Sequence, residues 1–134
     1  AIADDTGFEV DALGGAPGIH AARFAGPDAT YADNVRLLLE RLRGVPADRR
    51  TARFRTVCVA HWPDGRELVG EGVLSGRVIE HPRGGEGFGY DPVFVPDGET
   101  RTLAELGPAE KNLISHRSRA VRELAGRISG EAPA

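Results

Sequence analysis

Methionine is absent from all 134 residues. A natural reading frame starts with Met, so the expectation is that the sequence is a piece of a longer chain. Removal of an initiator before Ala1 is the alternative. There is a single cysteine, Cys58, which excludes an internal disulfide and fits a reducing compartment. No apolar run approaches about 18 residues, so no membrane-crossing helix is expected. No basic-then-apolar leader opens the sequence, and no secretion signal is read. Excess positive charge is lacking too. Seventeen Lys and Arg face twenty Asp and Glu, for a net charge of −3, which argues against bulk nucleic-acid binding through phosphates.

What is present reads as one globular domain over residues 1–134, with 40% apolar and 28% charged residues. The opening reads as a short apolar strand, an acidic turn at Asp4–Asp5 and a second strand around Phe8–Leu13. Glycines and Pro17 then make a loop. "TYADNVRLLLERLRG" reads as a helix with Thr30 as N-cap, Asp33 in the first turn, and Tyr31, Val35, Leu38 and Leu42 as its apolar stripe. Gly44 and Pro46 supply its stop. "TARFRTVCVAHW" and "ELVGEGVLSGRVIE" read as two strands around the turn Pro63-Asp64-Gly65. Gly70, Gly72 and Gly76 point to a bulge or a close backbone approach. A short strand is expected near Pro92–Val95 and a final helix from about Pro108 to about Ile128. The order of elements predicts a mixed α/β or α+β domain.

Three places depart from fold logic, and such places are where chemistry concentrates. In "ADDTG", Asp4 and Asp5 repel each other unless exposure or a cation relieves them. They suit either a solvated turn or a site for a hard cation such as Mg²⁺. In "GGEGFGYDP", residues 84–92, Phe88 and Tyr90 alternate with glycines. No Lys-Ser/Thr follows, so this is not a P-loop, and a strand rather than a helix comes next, so it is not a dinucleotide fingerprint. The two aromatics suit either a planar base or the edge of the core. In the last helix, Arg117 falls among Leu113, Ala120, Val121, Leu124 and Ile128, with His116 at the stripe edge and Lys111 near the helix start. An Arg in that stripe either meets an anion or acceptors, or reaches out to solvent or to a carboxylate. One ligand would satisfy the cation site, the aromatic loop and the basic helix together: a nucleoside polyphosphate.

"ADDTGFEVDALGGAPGIHAARFAG", "GGEGFGYDPVF" and "EKNLISHRSRA", in that order, resemble the inosine triphosphate pyrophosphatase family. The resemblance runs along nearly the whole chain. It implies an α/β fold with an elongated twisted sheet, flanking helices and a cleft between two lobes. It also implies a cytoplasmic homodimer that uses Mg²⁺ to hydrolyse non-standard purine nucleoside triphosphates (ITP, dITP, XTP) to monophosphate and pyrophosphate. By resemblance Asp5 is the catalytic carboxylate and metal ligand, and Asp4 supports the metal site. Thr6 stands where the family has Ser, keeping the hydroxyl. Phe88, Gly89, Tyr90 and Asp91 match the base-binding loop, Lys111 a substrate-contacting lysine, and His116 with Arg117 the pair at the base. His20 replaces a more usual Tyr, and Arg23 is retained. The family's opening Thr/Ser-x-Asn-x-x-Lys phosphate loop has no counterpart here. The resemblance is therefore to the C-terminal two thirds of such an enzyme, and weak or absent activity is expected of these residues by themselves. A purine-nucleotide-binding module without catalysis is the rival reading, and an RNA-binding domain is disfavoured by the charge.

Overall fold

The structure is a computed structural model. It describes residues 2–84, 89–114 and 116–131, apart from the side chains at 4, 108, 112, 113, 116–118 and 129–131. Three long strands make the frame: β1 (Ile2–Val10), β3 (Thr51–His61) and β4 (Glu67–Val78). Short strands β2 (Pro17–Gly18) and β5 (Phe94–Pro96) flank them, giving the antiparallel order β2-β1-β3-β4-β5. Helix α1 (Tyr31–Arg41) precedes β3, and α2 (Pro108–Ile114) and α3 (His116–Glu131) close the described chain. These two cover the span read as one final helix, and residue 115 between them lies outside the described residues. No helix among the described residues is long and apolar enough to cross a membrane.

The acidic pair is not in a turn. Asp4 and Asp5 lie inside β1, which pairs with β3 without a break from Ile2↔Ala60 to Val10↔Ala52. That long ladder satisfies backbone groups on β1 and overrides the local turn preference of two adjacent aspartates. The chain turns only afterwards, at Asp11–Leu13, where Gly14 takes φ +67°.

Strand alternation sorts the sheet into two faces. Phe8, Val10, Ala52, Phe54, Cys58, Ala60, Leu74 and Val78 are buried on one face. All the helix packing on the sheet that decides the core is on this face. One apolar cluster joins Phe8, Val10, Phe54, Leu74 and Val78 to Val35, Leu38 and Leu42 at α1 and to Phe94. A second, smaller cluster joins Cys58 and Ala60 to Ala120 and Leu124 of α3. Between them along β1 and β3 stand Thr6 and Thr56, whose hydroxyls hydrogen-bond at 2.9 Å. Thr56 is fully buried. The two apolar clusters are therefore divided by a polar pair.

Local chemistry explains the helix ends. The Asp33 N–H donates to Thr30 Oγ1 at 3.1 Å and the Thr30 N–H donates to Asp33 Oδ2 at 3.0 Å, a reciprocal N-terminal cap. That bonding holds the Asp33 carboxyl below its ordinary range. Tyr31, read as part of the apolar stripe, is exposed. Buried Asn34 shares the inner side of α1 with Val35 and Leu38, donating to Ala22 O at 3.0 Å and accepting the Ala25 N–H at 2.9 Å. Arg50 is buried where α1 ends. Its guanidinium donates to Leu42 O at 2.8 Å and Val78 O at 2.9 Å, tying the helix end to β4.

Candidate functional site

Asp5 is exposed and faces away from the helices. Beside it on β1 are Ala3, Gly7 and Glu9, and on β3 Arg55, Val57 and Val59. With Ile19 these residues line a concavity of about 450 Å³. Gly7 suits the close approach of the next loop, because a Cβ there would lie 3.2 Å from the Gly18 backbone and press on it. A ladder of charge runs from the concavity across the sheet. Arg53 lies 3.1 Å from Asp11 and 3.5 Å from Glu9, and Arg55 lies 3.5 Å from Glu9 and 3.1 Å from Glu71.

Thr6, next along β1, points to the opposite face by strand alternation, where it meets Thr56. Tyr90, Asp91 and Lys111 are on that helix-bearing side as well. The Tyr90 ring stacks on Phe8 with centroids 4.7 Å apart, and its hydroxyl donates to Ala21 O at 2.7 Å. Burial pushes the Tyr90 phenol up from its ordinary value. Tyr90 is thus a core residue in this structure. Gly89 before it adopts φ +62°, a conformation that favours glycine. Asp91 is buried and forms an ion pair with the Lys111 ammonium. This pair ties the Tyr90 segment to α2. Phe88 lies outside the described residues, as do the side chains of Asp4, His116 and Arg117. The backbones of His116 and Arg117 open α3, and Asp4 pairs with Cys58 in the sheet.

The described candidates therefore divide between two faces of β1, with Asp5 on one and Thr6, Tyr90, Asp91 and Lys111 on the other. Between the faces runs an open edge. β2 pairs only with Phe8 and Glu9, so Ile2–Gly7 has a strand neighbour on one side alone among the described residues. Val10 exchanges backbone hydrogen bonds with the β2 side, through Ala16 O and the Gly15 N–H. Alternation then turns the backbone N–H and C=O of Thr6 to the open edge. A ligand that lapped this edge would touch both faces. Two carboxylates, Asp5 and Glu9, line the concavity, and no group of three His, Cys, Asp or Glu side chains gathers among the described residues. Oxygen donors in that number suit a hard cation that keeps waters and takes phosphate oxygens.

Arg55, Glu9 and Thr56 were not singled out from the sequence. The alternation of β3 is legible, but its register against β1, which places Arg55 opposite Gly7 and Thr56 opposite Thr6, is not.

The profile of the Ham1 family matches residues 1–127. The chain belongs to the Ham1 family. It is 52% identical over 123 residues to a dITP/XTP pyrophosphatase of Caldanaerobacter subterraneus, covering 92% of this chain and 61% of that one. It is also 52% identical over 130 residues to a dITP/XTP pyrophosphatase of Methylococcus capsulatus, covering 96% and 65%. Among solved structures, the Ham1 protein of Staphylococcus aureus superposes with a TM-score of 0.92 at 39% identity, over 98% of this chain and 67% of that one. The nucleoside-triphosphatase, or dITP/XTP pyrophosphatase, of Mycobacterium abscessus superposes with a TM-score of 0.81 at 47% identity, over 90% and 64%. The chain thus spans less than two thirds of the length of these two sequence relatives. The likeness carries the Ham1 fold, including its mixed α/β character, to nearly every residue here.

Proposed function

We propose that this Ham1 chain belongs to an enzyme that hydrolyses non-standard purine nucleoside triphosphates of the ITP, dITP and XTP class to monophosphate and pyrophosphate. Membership of a family whose similar relatives are dITP/XTP pyrophosphatases carries this reading. The exposed Asp5, lining a concavity with Glu9 and Arg55, is the structural feature that agrees with it. The working form is proposed to be a cytoplasmic homodimer.

The triphosphate lies at the concavity beside Asp5. Asp5 accepts a proton from the attacking water as the phosphoanhydride between the α and β phosphates is cleaved. The monophosphate keeps the water's oxygen and pyrophosphate leaves. A divalent cation such as Mg²⁺, held by Asp5 with Asp4 in support, would neutralise phosphate charge and acidify bound water. Lys111, bound to Asp91 in the free chain, is proposed to exchange that partner for the substrate. At the other end, the segment from Phe88 to Asp91 and the start of α3 receive the base. His116 and Arg117 are assigned as donors to O6 and N7 of a 6-oxopurine. Adenine would meet them with its own amino donor and leave a polar group unpaired, a loss of roughly 1–3 kcal/mol.

The test is pyrophosphate release from ITP and from ATP with Mg²⁺, for a full-length enzyme that contains these residues and for its Asp5→Asn variant, with ITP binding followed by calorimetry; the 134 residues by themselves are expected to release little. Release that favours ITP and vanishes in Asp5→Asn is the expected result. Binding of ITP without any release would replace this reading with that of a non-catalytic nucleotide-binding module. Neither binding nor release would overturn both.

A further inference from the structure

We infer that Arg55 is the residue through which the Asp5 concavity grips the polyphosphate of its ligand, giving up Glu9 to do so; this rests on the function proposed above. Among the described residues Arg55 is the one cationic side chain lining the concavity, alongside the carboxylates of Asp5 and Glu9. It projects from β3 opposite Gly7, and on the same face of β1 Gly7 stands between Asp5 and Glu9. Gly7 has no side chain, so none separates the guanidinium from Asp5 along that strand. Diagonal neighbours on one sheet face lie about 7–8 Å apart, within reach of a long side chain and close to the span of adjacent phosphates.

The bonding of Arg55 in the free chain is incomplete. Its Nη1 lies 3.1 Å from Glu71, a half-exposed ion pair. Its Nε lies 3.5 Å from Glu9 Oε2, yet it makes no hydrogen bond and has almost no accessible surface. A buried N–H donor without an acceptor costs free energy, and an acceptor brought by a ligand recovers it. Arg53 also sits 3.5 Å from Glu9, so Glu9 retains a cationic neighbour when Arg55 leaves. A phosphate oxygen offers Arg55 the two-pronged, charge-assisted geometry that the present contact with Glu9 lacks. A plain cross-strand charge ladder would account for Arg53 with Asp11 and for Arg55 with Glu71. It does not account for a buried donor left unbonded in a side chain that lines the concavity.

Calorimetric titration with Mg²⁺-tripolyphosphate, which carries no base, isolates this contact. The unaltered chain is expected to bind, and Arg55→Gln to weaken binding about tenfold, the scale of one charge-assisted pair. Glu71→Gln frees Arg55 from its firmer partner and is expected to tighten binding a few-fold. Loss of folding cannot produce that opposite sign. Equal affinity in the chain and Arg55→Gln, no tripolyphosphate binding by the chain, or weakened binding in Glu71→Gln would each overturn the inference. ITP hydrolysis with tripolyphosphate affinity indifferent to Arg55 would leave the proposed function standing and this contact refuted. Arg55-dependent tripolyphosphate binding with no purine triphosphate bound or cleaved would do the reverse.

Discussion

Replacing Gly70 with alanine should lift α3 from the sheet. Gly70 lies in β4 opposite Cys58, under the helix. A Cβ built there falls 2.5 Å from Ala120 O, 2.5 Å from Leu124 N and 2.7 Å from Leu124 Cβ. Ordinary contact begins near 3.4 Å, so the shortfall is 3.4 − 2.5 = 0.9 Å. Two of the three atoms are helix backbone and cannot rotate aside. The helix must move outward by about that distance, loosening Ala120 and Leu124, which are 0% and 3% exposed. Overpacking of this kind costs about 1–3 kcal/mol. For a chain of this length that lowers Tm by roughly 4–12 °C. The same movement displaces the helix start that carries His116 and Arg117, and a misplacement near 1 Å is worth about 10²-fold in rate where those residues orient substrate. Differential scanning calorimetry and ITP-dependent pyrophosphate release read the two effects. Gly126→Ala is the control: on the same helix, a Cβ there meets nothing within 4 Å. It should leave stability unchanged or raise it by up to about 1 kcal/mol. A Gly70→Ala chain that melts with the unaltered protein would refute the argument that backbone contact seats this helix.

Two further outcomes follow from named residues. Arg50→Met removes the donors to Leu42 O and Val78 O and should destabilise by about 2–4 kcal/mol in chemical denaturation, less the desolvation relieved; a change below about 0.5 kcal/mol would sink the view that this guanidinium fastens α1 to β4. Arg117→Ala should reduce the preference for ITP over ATP, measured as the ratio of kcat/KM values, by about tenfold; an unchanged ratio would remove Arg117 from base recognition.

Much of this fold is legible residue by residue. Thr30 and Asp33 announce the start of α1 because their side chains can cap it from within four residues. Pro63-Asp64-Gly65 announces the β3–β4 turn, where the Gly65 N–H donates to Trp62 O at 3.0 Å. Gly70 and Gly76 signal close approach, and a Cβ at Gly76 would sit 2.2 Å from Val95 O. The failures share a cause. The place of Asp4 and Asp5 inside a strand, the outward position of Tyr31 and the pairing of Arg55 with Glu71 depend on register and on what packs opposite. Those are long-range facts that no local window contains. Asp5, Lys111 and Asp91 could be picked out from motif resemblance, but their division between two faces of one strand emerges only from the coordinates.

The hydroxyl pair between Thr6 and Thr56 has a consequence for motion. It splits the sheet's inner face into two regions, and among the described residues α3 places Ala120 and Leu124 in the smaller one. Local opening takes its cost from apolar burial. The helix assigned to meet the purine is therefore seated in a cluster of its own, apart from the one that seats α1. Opening of the helix proposed to meet the base would then leave the cluster under β1 and α1 intact.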